Sequence, residues 1–484
     1  MAPHTFLWHD YETFGINTRR DRPSQFAGIR TDAELNEVGE PLMLYCQPAN
    51  DYLPDPASCL ITGITPQHCL QHGIAEHAFA AQIEQVLAQP GTIGVGYNTI
   101  RFDDEVTRHM LWRNLMDPYA REWQNDCGRW DLLDVVRMAY ALRPEGIVWP
   151  IKQDGPYIGK PSFKLEDLAR ANGLLHEAAH DALSDVRATI ALARLIRMAQ
   201  PKLFDFCLSL HKKDRVASEL GLPASSQSAR PFLHVSGMFA AERGCLAVMW
   251  PLATHPSNKN EVLAWDLAHD PSELPLLDVA TLRLRLFTKT ADLPEGVLRL
   301  PLKSVHLNKS PMVVRKLQTL TPEMAARWGI DMDTALRHAE KAAALPDMSA
   351  IWPAVFQRPK EAAPDVDEDL YGGFIGNADR RRLNQLRALP PAELAHSRSG
   401  FDDERLEELL FRYRARNFAE TLNPEEAQRW EAHRAARLLE GAGGARNVDA
   451  LFAQIDTLSE SADERGEAIL GALYDYAEAI APEA

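Results

Sequence analysis

Two carboxylates lie close together near the start of the chain, in the stretch TFLWHDYETFG of residues 5–15. Asp10 and Glu12 are separated by one residue, in an apolar and aromatic-rich run that predicts a β-strand. Side chains at positions i and i+2 of a strand point to the same face. Like charges in a buried strand disfavour joint ionisation unless a positive group lies between them. The pair therefore predicts a bound cation or another positive partner.

Three further residues with reactive side chains follow within the first 200 positions. Asp103, in GYNTIRFDDEV, comes after a predicted strand and begins a predicted helix. His180 and Asp185, in HDALSD, lie at the start of a long helix with an apolar stripe. Each residue has an ordinary structural interpretation when it is taken singly. Acids at a helix N-terminus favour the helix dipole, as we expect of Asp104 and Glu105, and a histidine or an aspartate also suits a solvated surface.

Taken together, the four acids and the histidine match the needs of metal-assisted phosphodiester hydrolysis. Hard divalent cations such as Mg²⁺ prefer oxygen ligands held on rigid elements. Two such ions, roughly 3.5–4 Å apart, activate a water molecule and stabilise the leaving oxygen. A histidine, with an ordinary pKa of about 6.5, can accept the proton of that water near neutral pH.

Residues 1–200 alternate strand-like and helix-like segments that must position these side chains. The predicted strands are TFLWHDYE, EPLMLYCQP and TIGVGYN. The predicted helices are HAFAAQIEQVLAQ, DDEVTRHMLWRNLM, LLDVVRMAYAL, FKLEDLARANG and ALSDVRATIALARLIRMA. This alternation predicts an α/β domain with a mixed sheet over residues 1–200.

Two more regions follow the α/β domain. Residues 201–352 contain short predicted strands separated by turn residues, which predicts a small β domain with a few helices. These strands are FLHVSGMFA, CLAVMWPLA, EVLAWDLA, LRLRLFT and SVHLNKSPMVV. The acidic, proline-containing run EAAPDVDED, residues 361–369, predicts a linker. Residues 358–484 are helical in pattern and predict a C-terminal helical domain.

The charge of the 484-residue chain is uneven along its length. The formal net charge of −16 argues at first against a polyanionic partner. Residues 1–200 hold 18 basic and 26 acidic residues, 201–350 hold 18 and 16, and 351–484 hold 16 and 26. Only the central third does not repel a polyanion, so we expect a phosphate-binding track there. A generally acidic protein without such a partner explains the total equally well.

Cysteine use and hydropathy predict a cytoplasmic protein. The six cysteines are scattered without a CxxC pair, which argues against a zinc site of the usual spacing and fits reduced thiols. No apolar run approaches the roughly 20 residues of a membrane span. The start, MAPHTFLWHDYE, lacks the basic and apolar regions of a signal peptide. We therefore expect no membrane association.

The order of D-x-E, YNxxxFD and HxxxxD resembles that of the DEDDh superfamily of 3′→5′ exonucleases. Longer stretches along nearly the whole chain resemble the bacterial exonuclease I family in particular. These stretches are HDYETFG, DRPSQFAGIRTD, LITGITP, GYNTIRFDDEV, RWDLLDV, YALRPEGI, AHDALSD, HVSGMF and LLFRYRARNF. HVSGMF and LLFRYRARNF lie outside the nuclease domain and point to exonuclease I rather than to the superfamily alone.

The resemblance implies a role for each candidate residue. It implies two Mg²⁺ ions, with Mn²⁺ as a substitute, and a histidine, His180, as general base. The implied metal ligands are Asp10, Glu12, Asp103 and Asp185. It further implies an RNase H-like exonuclease domain at 1–200, an SH3-like β domain at 201–352 and a C-terminal helical domain at 358–484. In this family the three domains form a C-shaped clamp around single-stranded DNA.

The resemblance also implies an activity and partners. Exonuclease I enzymes hydrolyse single-stranded DNA processively from the 3′ end to 5′-mononucleotides, in DNA repair and recombination. They bind the acidic C-terminal tail of single-stranded DNA-binding protein. A clamp built from one chain needs no second copy, so we expect a monomer. RNA or short oligonucleotides as substrate, and a non-catalytic nucleic-acid adaptor, are the alternative hypotheses.

Basic and aromatic residues after Asp103 suit a single strand, which proteins hold by phosphate contacts and base stacking. The resemblance implies these DNA contacts: Arg108, Tyr119, Trp123, Arg137 and Lys164. Without it, a partly buried core position explains Tyr119 and Trp123 equally well. Lys164 stands where the family is expected to carry arginine, and lysine lacks the bidentate fork. The preceding segment, IKQDGPYIGK, is a few residues longer than expected for the family.

Two arginine clusters stand apart from these candidates. Arg380, Arg381 and Arg382 form a basic triplet on a predicted helix, for which we expect a solvated face. A second set, Arg412, Arg414 and Arg416, alternates with aromatic residues inside LLFRYRARNF. A structural role and a strand-enclosing role both fit this second set.

Overall fold

A computed structural model describes residues 4–174, 181–222, 229–359, 363–396 and 400–482. The described residues divide into two compact units. The first unit holds residues 4–128, 181–187 and 363–482, and the second holds the remainder. The first unit thus combines the amino-terminal part of the chain with its carboxy-terminal part.

The strands are short and form two sheets, one from residues 5–131 and one from residues 232–314. The strands are β1 (Thr5–Thr13), β2 (Pro23–Thr31), β3 (Leu42–Gln47), β4 (Ile74–Ala75), β5 (Thr92–Gly96), β6 (Gly128–Asp131), β7 (Phe232–Val235), β8 (Leu246–Thr254), β9 (Glu261–Asp266), β10 (Leu302–His306) and β11 (Met312–Val314). The segments TFLWHDYE, EPLMLYCQP and TIGVGYN are confirmed as strands, while β2, β4 and β6 were not predicted.

Helices make up most of the remaining regular structure. The helices are α1 (Pro56–Thr62), α2 (Pro66–His72), α3 (Glu76–Leu87), α4 (Asp103–Arg113), α5 (Leu132–Leu142), α6 (Leu165–Ala171), α7 (Ala182–Ala199), α8 (Pro201–Ser209), α9 (Lys213–Leu220), α10 (Val279–Phe287), α11 (Pro322–Arg327), α12 (Met332–Ala343), α13 (Trp352–Val355), α14 (Asn377–Arg387), α15 (Pro391–Leu394), α16 (Arg405–Asn417), α17 (Pro424–Leu438), α18 (Val448–Ser459) and α19 (Glu464–Ile480). Across the described ranges, every helix is too short or too polar to cross a bilayer.

The sheet of the first unit is mixed, as predicted. Within the unit its strand order is β4-β3-β2-β1-β5. Strand β1 pairs antiparallel with β2 and parallel with β5. Leu7 and Tyr11 of β1 pack in one core with Phe79 of α3 and Met110 of α4. Because side chains alternate along a strand, Trp8, Asp10 and Glu12 point to the other face.

The sheet of the second unit is antiparallel, with the strand order β10-β9-β8-β7-β11. Four of the five segments predicted as strands in this region contribute to it. The fifth prediction, a strand at LRLRLFT, is wrong, because the segment lies in helix α10. The Asp278 carboxylate caps this helix by accepting the Thr281 N–H. Leu282 and Leu286 are buried at helical spacing, so the alternation of Leu and Arg indicated the wrong period.

The acidic run EAAPDVDED does not behave as a linker where the structure describes it, from residue 363 onward. Asp365 and Asp367 form ion pairs with arginines of helix α16. Arg412 Nη1 lies 2.7 Å from Asp365 Oδ1. Arg416 Nη2 lies 2.5 Å from Asp367 Oδ2. The linker prediction is therefore wrong, because partners more than 40 residues away neutralise the acids.

Arg416 joins the C-terminal helices to the amino-terminal part of the first unit. Its guanidinium also lies 2.7 Å from Asp51 Oδ2, and all three side chains of the Asp51–Arg416–Asp367 network are buried. Although burial alone would raise it, Arg416 holds the pKa of Asp51 well below its ordinary value. The same guanidinium, with Arg412, keeps the pKa of Asp367 far below the ordinary range. The arginines of LLFRYRARNF thus have a structural role.

Replacing Arg416 by alanine tests this network. Arg416→Ala leaves Asp51 and Asp367 buried without their main cation, so we expect the free energy of unfolding to fall by about 3–5 kcal/mol. Urea titrations provide the measurement. Arg170→Ala is the control, because the Arg170 side chain is 79% exposed in its ion pair with Asp167. Equal stability of the two variants would contradict the assignment.

The network also sets a direction of pH dependence. In the folded protein the pKa of Asp51 and of Asp367 is lowered. As the pH falls towards about 4, the unfolded chain therefore binds more protons than the folded protein. The stabilisation is therefore present at neutral pH and is lost on acidification. We expect the urea midpoint of the wild type to fall more steeply between pH 5.5 and 3 than that of Arg416→Ala. Parallel curves for the two proteins would refute this origin of the acid sensitivity.

Candidate metal centre and nucleic-acid contacts

Strand β1 carries Asp10 and Glu12 on one face, as predicted. Asp10 lies opposite Ala27 of β2, and Glu12 lies opposite Gln25. The register then shifts between Glu12 and Thr13, so β1 changes direction just after the second acid. The two carboxylates therefore project from the end of the regular part of β1. The first part of this strand is paired on both sides.

Asp103 reaches this strand from the start of helix α4. Pairing between β1 and β5 ends at Trp8 and Val95, so the Tyr11 N–H has no strand partner on that side. The Asp103 carboxylate replaces the strand, because the Tyr11 N–H donates to its Oδ1 at 3.1 Å. The connection from β5 to α4 begins at Gly96, where a Cβ would lie 2.7 Å from the His9 carbonyl oxygen, so this position requires glycine. Asp103 is thus fixed at the residue between the two strand acids.

Asp185 comes from the first turn of helix α7. Asp181 caps this helix, since the Ser184 N–H donates to its Oδ2 at 3.1 Å. Gln25 accepts from the Ala182 N–H at 3.4 Å and so connects the helix start to β2. The sequence interpretation missed Gln25. Its amide is buried in β2, which the sequence interpretation had not recognised as a strand.

Three carboxylates converge at this point of the first unit. One oxygen each from Asp10, Glu12 and Asp185 lie within 4.8 Å of one another. Burial, followed by the charges of Asp103 and Glu12, raises the pKa of Asp10 well above its ordinary value. Burial, followed by the charges of Asp185 and Asp103, raises the pKa of Glu12 to about 8. An all-oxygen donor set with mutual repulsion fits a hard divalent cation, and this acidic cluster is typical of DEDD nucleases.

The general base predicted from sequence, His180, lies outside the described residues. The nearest histidine to the cluster along β1 is His9, which points to the opposite face from Asp10. Burial lowers the pKa of the His9 imidazole to about 4. Its ring stacks on Phe26, with centroids 5.9 Å apart. His9 is therefore a neutral core residue at working pH.

The predicted DNA contacts of the first unit differ in exposure. Arg108 is only 4% exposed, and its guanidinium donates to both oxygens of Glu122 and to Glu105. The same guanidinium lies 5.3 Å from the Tyr119 ring centroid. Trp123 is 64% exposed. Arg108 is thus buried in ion pairs beside Tyr119, whereas Trp123 is accessible to solvent.

The two acids that follow Asp103 lie in the first turn of α4, as expected of acids that favour the helix dipole. Asp104 is fully buried and lies 2.6 Å from Nη2 of Arg121, which is buried too. Glu105 accepts from Arg108 and from the Tyr371 hydroxyl. The sequence did not indicate these ion pairs, which add to the helix-dipole interaction. Both ion pairs hold the start of α4, and therefore Asp103, in place.

The predicted contacts of the second unit are Arg137 and Lys164. Arg137 donates to Asp134 at 2.7 Å, and its guanidinium lies directly against Gly237. A Cβ at Gly237 would lie 2.7 Å from the Arg137 guanidinium carbon. The glycine of HVSGMF therefore makes room for Arg137, which the sequence interpretation had not linked to it. Lys164 precedes α6 and lines the same groove as Arg137, with a volume of about 450 Å³.

The basic triplet on helix α14 has mixed surroundings. Arg380 Nε lies 3.5 Å from Asp117, and Arg382 Nη1 lies 3.1 Å from Asp379. Arg381 is exposed. Both ion pairs are partly open to solvent on the arginine side, in agreement with the expected solvated face.

Three family models match consecutive parts of the chain. The model described as Exonuclease matches residues 7–193. The Exonuclease I SH3-like domain matches residues 211–358, and the Exonuclease I C-terminal domain matches residues 364–480. These matches confirm the predicted fold class: an exonuclease domain with a mixed sheet, an SH3-like β domain and a C-terminal helical domain.

Individual proteins match over almost their full length. Exodeoxyribonuclease I of Escherichia coli is 46% identical over 482 residues, which cover 98% of this chain and 98% of that protein. The structure of a moderately thermophilic exonuclease I from Methylocaldum szegediense has a TM-score of 0.92 at 50% identity and covers 99% of each chain. E. coli exonuclease I in complex with a dA16 oligonucleotide has a TM-score of 0.89 at 44% identity. It covers 99% of this chain and 100% of that one.

A further solved structure, an ExoI/SSB-Ct complex, has a TM-score of 0.90 at 43% identity and covers 99% of this chain and 100% of that one. The resemblance seen in the sequence motifs is therefore confirmed over the whole chain. Because the similarity includes both domains that are specific to exonuclease I, the chain belongs to the exonuclease I family.

Proposed function

We propose that this chain hydrolyses single-stranded DNA from the 3′ end, processively and with Mg²⁺, to 5′-mononucleotides. The observation that carries the proposal is the convergence of oxygens from Asp10, Glu12 and Asp185 within 4.8 Å. Asp103 adds a fourth acid, fixed to β1 by the Tyr11 N–H. The identity of 46% with an exodeoxyribonuclease I over 98% of the chain supports the same activity. We place this activity in DNA repair and recombination.

The proposed metal ligands are Asp10, Glu12, Asp103 and Asp185. Two Mg²⁺ ions, or Mn²⁺ in their place, would supply Lewis-acid stabilisation of the attacking and leaving oxygens. The protein holds the ligands on a strand and on two helix starts, so little rearrangement is needed when a substrate binds. We assign His180, one residue before the cap of α7, as the base that accepts the proton of the attacking water.

The proposed strand contacts divide into stacking and phosphate-binding residues. Trp123 offers an exposed ring to a base, and Tyr119 lies on the Arg108 guanidinium. Arg137 and Lys164 supply positive charge to phosphates. An oligonucleotide bound to the similar E. coli exonuclease I supports single-stranded DNA as the substrate.

We infer the remaining properties from the same family relationship. The ExoI/SSB-Ct complex supports the acidic tail of single-stranded DNA-binding protein as a partner. The three proposed domains span 1–200, 201–352 and 358–484, in a monomer. None of the six cysteines forms a disulfide, which supports the cytoplasm as the location.

Digestion of end-blocked oligonucleotides tests the activity. With Mg²⁺, we expect a 5′-blocked single strand to be degraded and a 3′-blocked strand to persist. Asp10→Asn keeps the size of the side chain and removes a ligand charge, so we expect the rate to fall about a hundredfold or more. Asp456→Asn, at an exposed acid of α18, is the matched control and keeps the wild-type rate.

Two results would overturn the assignment of the site or of the substrate. Undiminished activity in Asp10→Asn would exclude Asp10 as a ligand. Faster hydrolysis of an RNA of equal sequence would favour the RNA alternative, since the 2′-hydroxyl is the difference between the two strands. Tight strand binding without product release would favour the adaptor alternative.

Thermal unfolding tests the electrostatic account of the same cluster. In EDTA the buried acids repel one another, so Asp10→Asn removes an unfavourable charge and we expect its Tm to lie about 2–4 °C above the wild type. Addition of Mg²⁺ should raise the wild-type Tm, because a cation that binds only the folded state stabilises it. The variant should gain much less. An equal gain in both proteins would show that Mg²⁺ binds elsewhere.

A further inference from the structure

We propose that residues 151–161 form a substrate-binding hairpin in which Tyr157 stacks on a base of the single strand. The proposal rests on the proposed function, because it takes single-stranded DNA as the occupant. It adds a contact that neither the metal centre nor the strand contacts assigned above include. The segment is the one that the sequence showed to be longer than expected.

Backbone hydrogen bonds define the hairpin. Ile151 and Pro161 form an antiparallel bridge. The Lys152 N–H donates to the Lys160 carbonyl at 2.8 Å, and the Gly159 N–H donates to the Lys152 carbonyl at 2.9 Å. Gly159 has a φ of 81°, a left-handed conformation that suits glycine at the turn. A short 3-10 turn, Gly155–Tyr157, forms the tip.

Tyr157 lies on this tip beside two cations. The residue is 54% exposed. The Lys152 ammonium lies 4.8 Å from the ring centroid, and the Lys160 ammonium lies 5.4 Å from it. The lysines attract the ring electrostatically and hold its orientation. An exposed aromatic side chain with positive charge beside it is the arrangement by which proteins hold a base and its neighbouring phosphates.

The hairpin forms one wall of the groove of about 450 Å³. The groove is lined by four cations, Arg137, Lys152, Lys160 and Lys164, and by the single acid Glu242. Glu242 lies 2.5 Å from the Lys160 ammonium and offsets one of these charges. Within the described ranges, Lys152 and Lys164 form no ion pair with an acid. The groove therefore carries a net positive charge in a chain whose total is −16.

Charge and shape together select the occupant. Tyr157 and Phe163 give the groove flat apolar surfaces, and the lysines give it positive charge along the same wall. A single strand supplies both complements, bases and phosphates, at each nucleotide. Arg137 and Lys164, which we assigned to the strand on other grounds, line the same groove. An acidic peptide complements the charge alone, so it is the competing occupant in the test.

Binding and kinetics of three variants test the role of the ring. We measure fluorescence anisotropy with a labelled oligothymidylate in EDTA, where hydrolysis stops, and KM and kcat with Mg²⁺. For Tyr157→Ala we expect Kd and KM to rise about fivefold or more, with kcat nearly unchanged. Tyr157→Phe keeps the ring and should match the wild type. Tyr474→Ala, at an exposed tyrosine of α19, is the control and should also match it.

Salt dependence tests the lysines separately. Each phosphate contact contributes about 0.7 to the slope of log Kd against log salt for a single strand. For Lys152→Gln we therefore expect weaker binding and a shallower slope. Lys341→Gln, at a lysine paired with Asp270, should keep the wild-type slope.

The proposal is overturned if Tyr157→Ala binds the oligonucleotide like the wild type, or if Tyr157→Phe loses as much affinity as Tyr157→Ala. It is also overturned if Tyr157→Ala loses only the binding of a labelled acidic peptide, which would assign the groove to a protein partner. Failure of the proposed function gives a different result. A wild type that binds single strands through Tyr157 but releases no nucleotide contradicts the nuclease and supports the groove.

Discussion

Mutual repulsion among Asp10, Glu12 and Asp185 is the constraint on which the first unit depends. Their oxygens lie within 4.8 Å of one another, and burial with neighbouring charge raises the pKa of Asp10 and of Glu12. A flexible chain would relax by moving the carboxylates apart. Here β1 is held between neighbouring strands, Asp103 is bonded to the strand backbone, and Asp181 caps the helix that carries Asp185. The scaffold thus keeps the three carboxylates close together, where a cation can bind them.

The chain buries acids in a second way that has the opposite electrostatic outcome. Around Arg416, the carboxylates of Asp51 and Asp367 are neutralised by guanidinium groups, and their pKa values are lowered. Asp104 and Arg121 repeat the arrangement beside the metal centre. Acids that shape the structure therefore have arginine partners from distant segments. The acids of the metal centre are surrounded mainly by other acids, which distinguishes the two kinds of cluster.

Local pattern was enough to predict the elements that carry the candidate site. Alternation placed Asp10 and Glu12 on one strand face, and helix periodicity gave α4 and α7. The same reasoning failed at LRLRLFT, where a helix cap and two buried leucines outweighed alternation. It also failed at Asp365 and Asp367, and it missed Gln25 and Gly237. For Asp365, Asp367, Gln25 and Gly237 the deciding partner lies far away in the sequence, whereas the cap at LRLRLFT is local. His180 and the strand contacts stay predictions.

The Asp51–Arg416–Asp367 network has a consequence for synthesis of the protein. Asp51 and Arg416 are separated by 365 positions. At about 5–20 residues per second, a ribosome needs roughly 20–70 s to pass from one to the other. During that interval the nascent amino-terminal segment carries a carboxylate that has not yet met its guanidinium. The core cluster that packs Tyr52 and Leu53 against Leu451 and Leu473 cannot form until the last quarter of the polypeptide has left the ribosome, so a shortened chain would leave the first unit incomplete.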